Sequence, residues 1–256
     1  MALIKTAGQI EKLRKSGALL AECLDMLVLN AKPGVSGKEL DKLAEEFIRD
    51  HGAIPAFKNY CIRPELPKYP ANICFSRNYV VVHGIPREDD ILEEGDIVTI
   101  DSGLSLNGWF ADAARLFGIG TIAKEDKEII KVSEETIMSA IEQCRAGNKI
   151  SNIGNAIENH IAFSKFRNIT EYSGHFIGKK MHEAPQIPNF GQRNKGFRLE
   201  PGMVFCLEPM LKKSEIPLGI FPDGWTVVTL DKSNATHIEH MVLVTEDDPE
   251  ILTPFF

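Results

Sequence analysis

Cysteine is sparse in this chain: Cys23, Cys61, Cys74, Cys144 and Cys206 lie scattered, with no CxxC spacing among them. That excludes a disulfide framework or a thiolate zinc site as the organising feature and leaves reduced thiols. Cys61 and Cys74 flank a proline-rich segment and are candidates for lining a pocket, although a small buried hydrophobe is the commoner role. Long apolar runs are missing too, and Met1 to Thr6 lead into a charged helical pattern without the apolar core of a signal peptide. The expectation is a cytoplasmic protein with no membrane partner. Basic clusters are equally absent, and a formal charge of -7 speaks against a nucleic-acid surface. No G-x-S-x-G elbow and no recognisable cysteine nucleophile motif is present, which argues against a serine or cysteine hydrolase.

What is present is ordinary globular composition. The 256 residues are 43% hydrophobic and 25% charged, enough to bury one large core or two small ones. Ile10, Leu13, Leu20, Leu24 and Leu27 fall at helical spacing between Thr6 and Asn30, and Lys32-Pro33-Gly34 ends that run. Ser36 with Glu39 three residues on is a capping-box signature that opens a second helix, through Leu40, Leu43, Phe47 and Ile48 to Gly52. The proline density from Ala53 to Pro70 predicts a long irregular loop. Strand patterns follow at Ile73 to Phe75, Tyr79 to His83 and Asp96 to Leu106, then Asn107-Gly108 signals a hairpin returning through Trp109 to Phe117. Helices are predicted from about Lys124 to Cys144 and from Ser151, with strands returning after Pro201.

The second half echoes the first. Leu92-Glu93-Glu94-Gly95-Asp96-Ile97-Val98-Thr99-Ile100-Asp101 aligns without a gap to Leu199-Glu200-Pro201-Gly202-Met203-Val204-Phe205-Cys206-Leu207-Glu208, so Asp101 falls on Glu208. Lys32-Pro33-Gly34 likewise matches Arg145-Ala146-Gly147, and Glu239 is expected at the position that Asp112 holds in the first half. The implied architecture is α+β: one domain over residues 1–256, built of halves of roughly 1–120 and 121–256 around a shared antiparallel sheet.

The hairpin carries the chemistry. With Asn107-Gly108 as its central residues, Leu106 faces Trp109 and Asp101 pairs with Ala114. Asp112 lies two residues from Ala114, so the two acids become diagonal neighbours on one face. A lone aspartate more often caps a turn or faces water. Here Ile97, Ile100, Phe110 and Leu116 make the surroundings apolar, and Glu208 and Glu239 repeat the pattern in apolar strands of the second half. Buried carboxylates are costly, and a divalent cation offsets that cost. Four carboxylates suit hard or borderline ions, and His175, in the glycine-flanked loop Ser173-Gly174-His175-Phe176-Ile177-Gly178, is the candidate nitrogen donor.

On Val82-His83-Gly84-Ile85-Pro86, Ile100-Asp101, Asp112-Ala113-Ala114-Arg115, Gly174-His175, His182-Glu183-Ala184-Pro185, Glu208-Pro209-Met210, Asp223-Gly224-Trp225-Thr226-Val227 and Glu239-His240, the chain resembles the type I methionine aminopeptidases of the pita-bread fold along nearly its whole length. The resemblance implies two divalent ions (cobalt, manganese, iron or zinc). Asp101, Asp112 and Glu239 would hold one, and Asp112, His175, Glu208 and Glu239 the other. A hydroxide bridging two such cations is a strong nucleophile near neutral pH, which suits amide hydrolysis, with Glu208 as general base. The resemblance assigns His83 and His182 to substrate positioning and stabilisation of the developing oxyanion. It places Tyr69, Cys74, Phe205 and Trp225 near a methionine pocket; Phe57 and Tyr60, in the proline-dense loop, are candidates outside that alignment. Trp225 would serve equally as plain core. The implied substrate is the N-terminus of a nascent polypeptide or peptide with a small second residue, the implied further partner is the ribosome, and a monomer is expected.

Three departures from the family pattern stand out. Phe176 replaces a small residue and is expected to narrow the entrance or displace the ligand-bearing loop. The segment Ile62-Arg63-Pro64-Glu65-Leu66-Pro67 reads as an insertion. His237 stands where a glutamine is usual, close to Glu239. The rival readings are an Xaa-Pro peptidase of the same fold, which would normally carry a large N-terminal domain, and a non-catalytic member, which would have damaged ligands.

Overall fold

Two helices open the chain, each with its own start signal, in a computed structural model that describes residues 3–61 and 64–255. Helix α1 (Ala7–Asn30) follows Thr6, whose backbone N–H donates to the Gln9 side chain at 3.0 Å. Helix α2 (Gly37–Asp50) follows Ser36, whose hydroxyl accepts from the Glu39 N–H at 3.1 Å while the Glu39 carboxylate accepts from the Ser36 N–H at 2.7 Å. The capping box read from the sequence therefore forms. Strands β1 (Ile54–Pro55), β2 (Ile73–Arg77), β3 (Val80–Val82), β4 (Ile97–Leu106) and β5 (Trp109–Gly118) complete the first half. The proline-dense segment is not wholly irregular: Ile54 and Pro55 pair with Ser105 and Leu104, an edge position that a proline can occupy. Ile62 and Arg63 of the expected insertion lie outside the described residues.

The second half repeats the order. Helices α3 (Lys124–Ile141) and α4 (Ser151–Ala162) precede β6 (Arg167–Asn168), β7 (Ser173–Phe176), β8 (Glu183–Pro188), β9 (Val204–Leu207), β10 (Met210–Lys212), β11 (Leu218–Ile220), β12 (Val227–Thr229), β13 (Ala235–His237), β14 (His240–Leu243) and β15 (Glu250–Ile251). Helix α3 ends at Ile141, short of the expected Cys144, and strands resume before Pro201. His175 accordingly sits on strand β7 and not in a loop. No helix among the described residues is long and apolar enough to cross a membrane.

Two cores hold the layers. Leu13, Leu20, Leu24 and Leu27 of α1 pack with Val98, Ile100 and Leu104 of β4 and with Ala111 and Ala113 of β5. Ile129 and Ile137 of α3 and Ile153 and Ile157 of α4 pack with Phe176, Phe205, Leu207 and Val242. Each fully buried leucine or isoleucine contributes about 1.5–3 kcal/mol, so these layers fix one face of every acid-bearing strand.

The duplication is visible in matched backbone bonds. Gly34 N–H donates to Leu92 O and Leu92 N–H to Val35 O; Gly147 N–H donates to Leu199 O and Leu199 N–H to Asn148 O. Gly95 N–H reaches Ile119 O and Ile119 N–H reaches Asp96 O, as Gly202 N–H reaches Val244 O and Val244 N–H reaches Met203 O. Gly34, Gly95, Gly147 and Gly202 all take positive φ, between 85° and 95°. These bonds make Ile119 the counterpart of Val244, and the strand register confirms the consequence. Asp112 faces Gly103 across β4 and β5, while His237 faces Met210 across β10 and β13. The expected equivalence of Asp112 and Glu239 is therefore corrected by two residues: Asp112 corresponds to His237, and Glu239 corresponds to Ala114. A two-residue slip keeps every side chain on its face, so alternation in the sequence does not reveal it.

The two halves meet at that last pair. Ala114 N–H donates to Glu239 O at 3.2 Å and Glu239 N–H to Ala114 O at 3.4 Å, joining β5 to the first residue before β14. Strands β2, β4 and β5 thereby continue into the sheet ordered β15-β14-β9-β7-β8.

Candidate metal centre

The tight hairpin places the first two acids. Asn107 and Gly108 both have positive φ (52° and 74°), the conformation a two-residue connection requires, and they set the register Leu106 to Trp109. Asp101 then faces Ala114, and Asp112 lies diagonal to it on the same face. Glu239 stands on the other side of Ala114, so Asp101, Ala114 and Glu239 form one row across three strands. The methyl group of Ala114 leaves space between the two carboxylates. Donor atoms of Asp101, Asp112 and Glu239 all lie within 4.8 Å of one another.

Strand β7 delivers the imidazole. His175 Nε2 is 3.7 Å from Asp112 Oδ2, 3.8 Å from Glu208 Oε1 and 3.9 Å from Glu239 Oε1. Its Nδ1 is 3.2 Å from the Phe176 carbonyl, which can only accept. Nδ1 therefore carries the proton, and the Nε2 lone pair faces the acids. Close approach of β7 to β9 depends on Gly174, where a Cβ would meet the Cys206 carbonyl oxygen at 2.3 Å. Gly174→Ala is expected to cost about 1–3 kcal/mol of stability. A urea midpoint equal to wild type would show that β7 moves aside freely.

The donor set fits divalent cations. Asp101 Oδ1, Asp112 Oδ1 and Glu239 Oε1 are buried without any hydrogen-bond partner, a costly state for acceptor-only atoms. Burial pushes Asp101 up to about 8. Burial first, then repulsion among the acids, pushes Asp112, Glu208 and Glu239 well above the usual carboxylate range. Burial draws His175 down to about 3, keeping it neutral and able to coordinate. Such a cluster holds its negative charge only opposite a countercharge, and oxygen-rich donors with one nitrogen suit hard or borderline ions.

A cavity of about 470 Å³ opens onto these acids. Its apolar wall is Phe57, Tyr69, Cys74, Met181 and Trp225. Tyr69 is anchored by its hydroxyl, whose one proton is shared between the Ile73 and Gly84 carbonyls at 2.9 and 2.8 Å, and meets Trp225 edge-on at 5.2 Å. Trp225 donates from Nε1 to Pro67 O at 2.8 Å, so it belongs to the wall and is held there. His83 lines the cavity between Tyr172 and Trp225 in a left-handed backbone conformation (φ 59°), unusual for a residue other than glycine. Burial draws its imidazole down to about 4. His182, exposed at the cavity mouth, has its ring 4.2 Å from that of His175, and partial desolvation draws it down as well.

The structure thus brings together Asp101, Asp112, His175, Glu208 and Glu239, with His83, His182, Tyr69, Cys74 and Trp225 around them. Two expectations are corrected. Phe205 does not line the cavity; it lies in the helix-side core at 5.3 Å from Phe176. Phe176 does not narrow the entrance, because alternation along β7 turns it away from His175 into that same core. Met181 lines the wall without any signal in the sequence beyond its place next to His182. The buried ion pair of Lys5 Nζ with Glu183 Oε2, at 2.9 Å, was not legible either. Glu183 Oε1 also accepts from the N–H groups of Lys179 and Lys180, which ties down the segment carrying His182.

Comparison with known proteins gives a consistent picture. Residues 11–246 match the family model of metallopeptidase family M24. A methionine aminopeptidase of Clostridium acetobutylicum is 42% identical over 253 residues, covering 99% of both chains. The crystal structure of methionine aminopeptidase from Rickettsia prowazekii aligns with a TM-score of 0.93 at 39% identity, over 99% of this chain and 100% of that one. A prolidase from Pyrococcus furiosus aligns with a TM-score of 0.78 at 22% identity, over 99% of this chain and 66% of that one, a likeness of fold alone.

Proposed function

The chain belongs to metallopeptidase family M24, and from that membership we propose that it removes the N-terminal methionine from nascent proteins and peptides with a small second residue. The observation that carries this reading is a cluster of buried, unpartnered carboxylate oxygens beside one neutral imidazole, opening onto an apolar pocket. Its architecture is the α+β pita-bread arrangement of its relatives. Asp101, Asp112 and Glu239 would hold one divalent ion, and Asp112, His175, Glu208 and Glu239 a second, with cobalt, manganese, iron and zinc as the candidates. Cations bound there supply Lewis acidity, acidifying water and polarising the scissile carbonyl.

The protein's own groups do the rest. Glu208, beside His175 at the cavity floor, takes up a proton as water attacks and passes it to the departing amine. Phe57, Tyr69, Cys74, Met181 and Trp225 receive the methionine side chain, whose thioether suits an aromatic-lined pocket. His83 positions the peptide from its fixed place between Tyr172 and Trp225. The Tyr60 hydroxyl, its acidity lowered by burial, lies 2.6 Å from His182 Nδ1. With Tyr60 as the donor of that bond, the His182 proton sits on Nε2, where it can serve the developing carbonyl oxygen. Tyr60→Phe is expected to lower kcat about 10- to 100-fold with little change in KM. Equal losses in peptide affinity and rate would instead make Tyr60 a pocket residue only.

The test of the activity is release of free methionine from Met-Ala peptides, with added divalent ion, with chelator, and with Asp101→Ala. Metal-dependent release abolished by Asp101→Ala is the expected result. Release that ignores chelator, or none with any divalent ion, sinks the reading. Cleavage of Xaa-Pro peptides without methionine release would favour the prolidase-type alternative.

A further inference from the structure

His237 is a buried side chain in the cavity wall for which the mechanism above has no use. Neither ring nitrogen has a hydrogen-bond partner, although the residue is only 2% exposed. An imidazole left in that state forfeits the bonds it made to water, so its position calls for a ligand. One polar neighbour is informative: Nε2 lies 3.9 Å from Glu239 Oε2. The duplication points the same way. His237 is the counterpart of Asp112, facing Met210 as Asp112 faces Gly103, and Asp112 is one of the acids at the heart of the donor cluster.

We propose that His237 is an additional metal ligand, giving its Nε2 to the divalent cation held by Asp101, Asp112 and Glu239. The proposal rests on the metal-centre reading above. Two donors that each sit about 2.0–2.2 Å from one ion can be no more than about 4.4 Å apart, and the separation of Nε2 from Glu239 Oε2 falls inside that limit, as do the contacts of His175 with its three acids. Charge agrees as well. Four carboxylates already balance two divalent ions, so any further donor is best neutral. An imidazole meets that condition where another carboxylate would not. His175 and His237, both carried by strands of the second half, would then serve one cation each. A cage otherwise built of oxygen atoms gains a nitrogen donor, which favours borderline ions such as cobalt or zinc over manganese.

The experiment uses the full chain, stripped of metal and reloaded with Co²⁺ alone to two equivalents. X-ray absorption counts imidazoles per cobalt, and calorimetry reads the affinity of each equivalent. The expected result for wild type is an average of one imidazole per cobalt, two histidines over two ions. His237→Gln is expected to halve that count and to weaken one equivalent at least tenfold, with the other unchanged. A wild-type average of one imidazole per two cobalt ions overturns the proposal without reference to any variant, so a poorly folded His237→Gln does not shelter it. The same holds if His237→Gln keeps the wild-type count and both affinities within twofold. Failure of the wild-type chain to bind any divalent ion would overturn the metal-centre reading and this inference together, and is distinguishable from loss of the single histidine.

Discussion

Asp112→Ala is expected to lower kcat/KM for Met-Ala peptides by about three orders of magnitude, equivalent to about 4 kcal/mol of lost transition-state stabilisation. Asp112 belongs to two of the donor groups at the site, one with His175 and His182 and one with Asp101 and Glu239, so its loss affects both cation positions. It is 3% exposed on a strand whose other face is packed against α1, so the space it leaves has no ready way to collapse. Steady-state kinetics should be read beside metal content measured on the same preparation. A drop in bound metal from two equivalents accompanied by the rate loss supports the assignment. Full metal occupancy with kcat/KM within threefold of wild type would remove Asp112 from the ligand set.

Stripping the protein of metal should make its stability fall as pH rises above neutrality. The sign follows from proton linkage. Asp101 is raised to about 8 in the folded protein against an ordinary value of 3.8, and Asp112, Glu208 and Glu239 are raised well above their ordinary values. The folded metal-free state therefore binds more protons than the unfolded chain, and that advantage, complete at low pH, is lost as pH climbs through the folded values. The buried histidines work the other way. His83, His182 and His240 are drawn down to about 4, and His175 and His237 to about 3, from 6.5, so their contribution grows as pH rises through 6.5 and levels off only about one unit above it. The clean window is therefore about pH 7.5 to 8.5, above the titration of an unfolded histidine, where the carboxylates dominate. Each contributes about 1.4 kcal/mol per pH unit while still protonated, so the fall in Tm across that window should be on the order of 10 °C. Saturating Co²⁺ should abolish the trend, because bound cations replace the protons as countercharge. A metal-free Tm that is flat or rising from pH 7.5 to 8.5 would show that the four acids are not crowded together as described.

Much of this site could be read along the chain because its determinants are local. The Asn107-Gly108 turn sets the β4 and β5 register by itself, so the diagonal of Asp101 and Asp112 followed from counting residues. The run ending at Asp101 and its copy ending at Glu208 share a glycine of positive φ in the same turn, which made the duplication legible. Other features were hidden because they depend on partners far away in sequence. His175 read as a loop residue, since β7 is only four residues long and becomes a strand by pairing with β8 and β9. Phe205, placed near the pocket by resemblance, and Phe176, expected at the entrance, were misplaced because nothing in their neighbours says which face of the sheet looks toward α3 and α4.

The hairpin, both early helices and the doubled plan were determined by the sequence alone, through capping, turn chemistry and apolar alternation, and the sequence also named the four acids and the histidine that gather at the cavity. Tertiary structure decided the rest. It paired Ala114 with Glu239 and so joined the halves, and it made His237, not Glu239, the counterpart of Asp112. It also set Tyr60 against His182 across 122 positions of chain. For the first two the physical reason is that a strand pattern of period two is unchanged by a shift of two residues, while Tyr60 and His182 lie outside the strands, where no periodicity points to a partner at all. Only hydrogen bonds and packing between distant segments choose among the registers that remain.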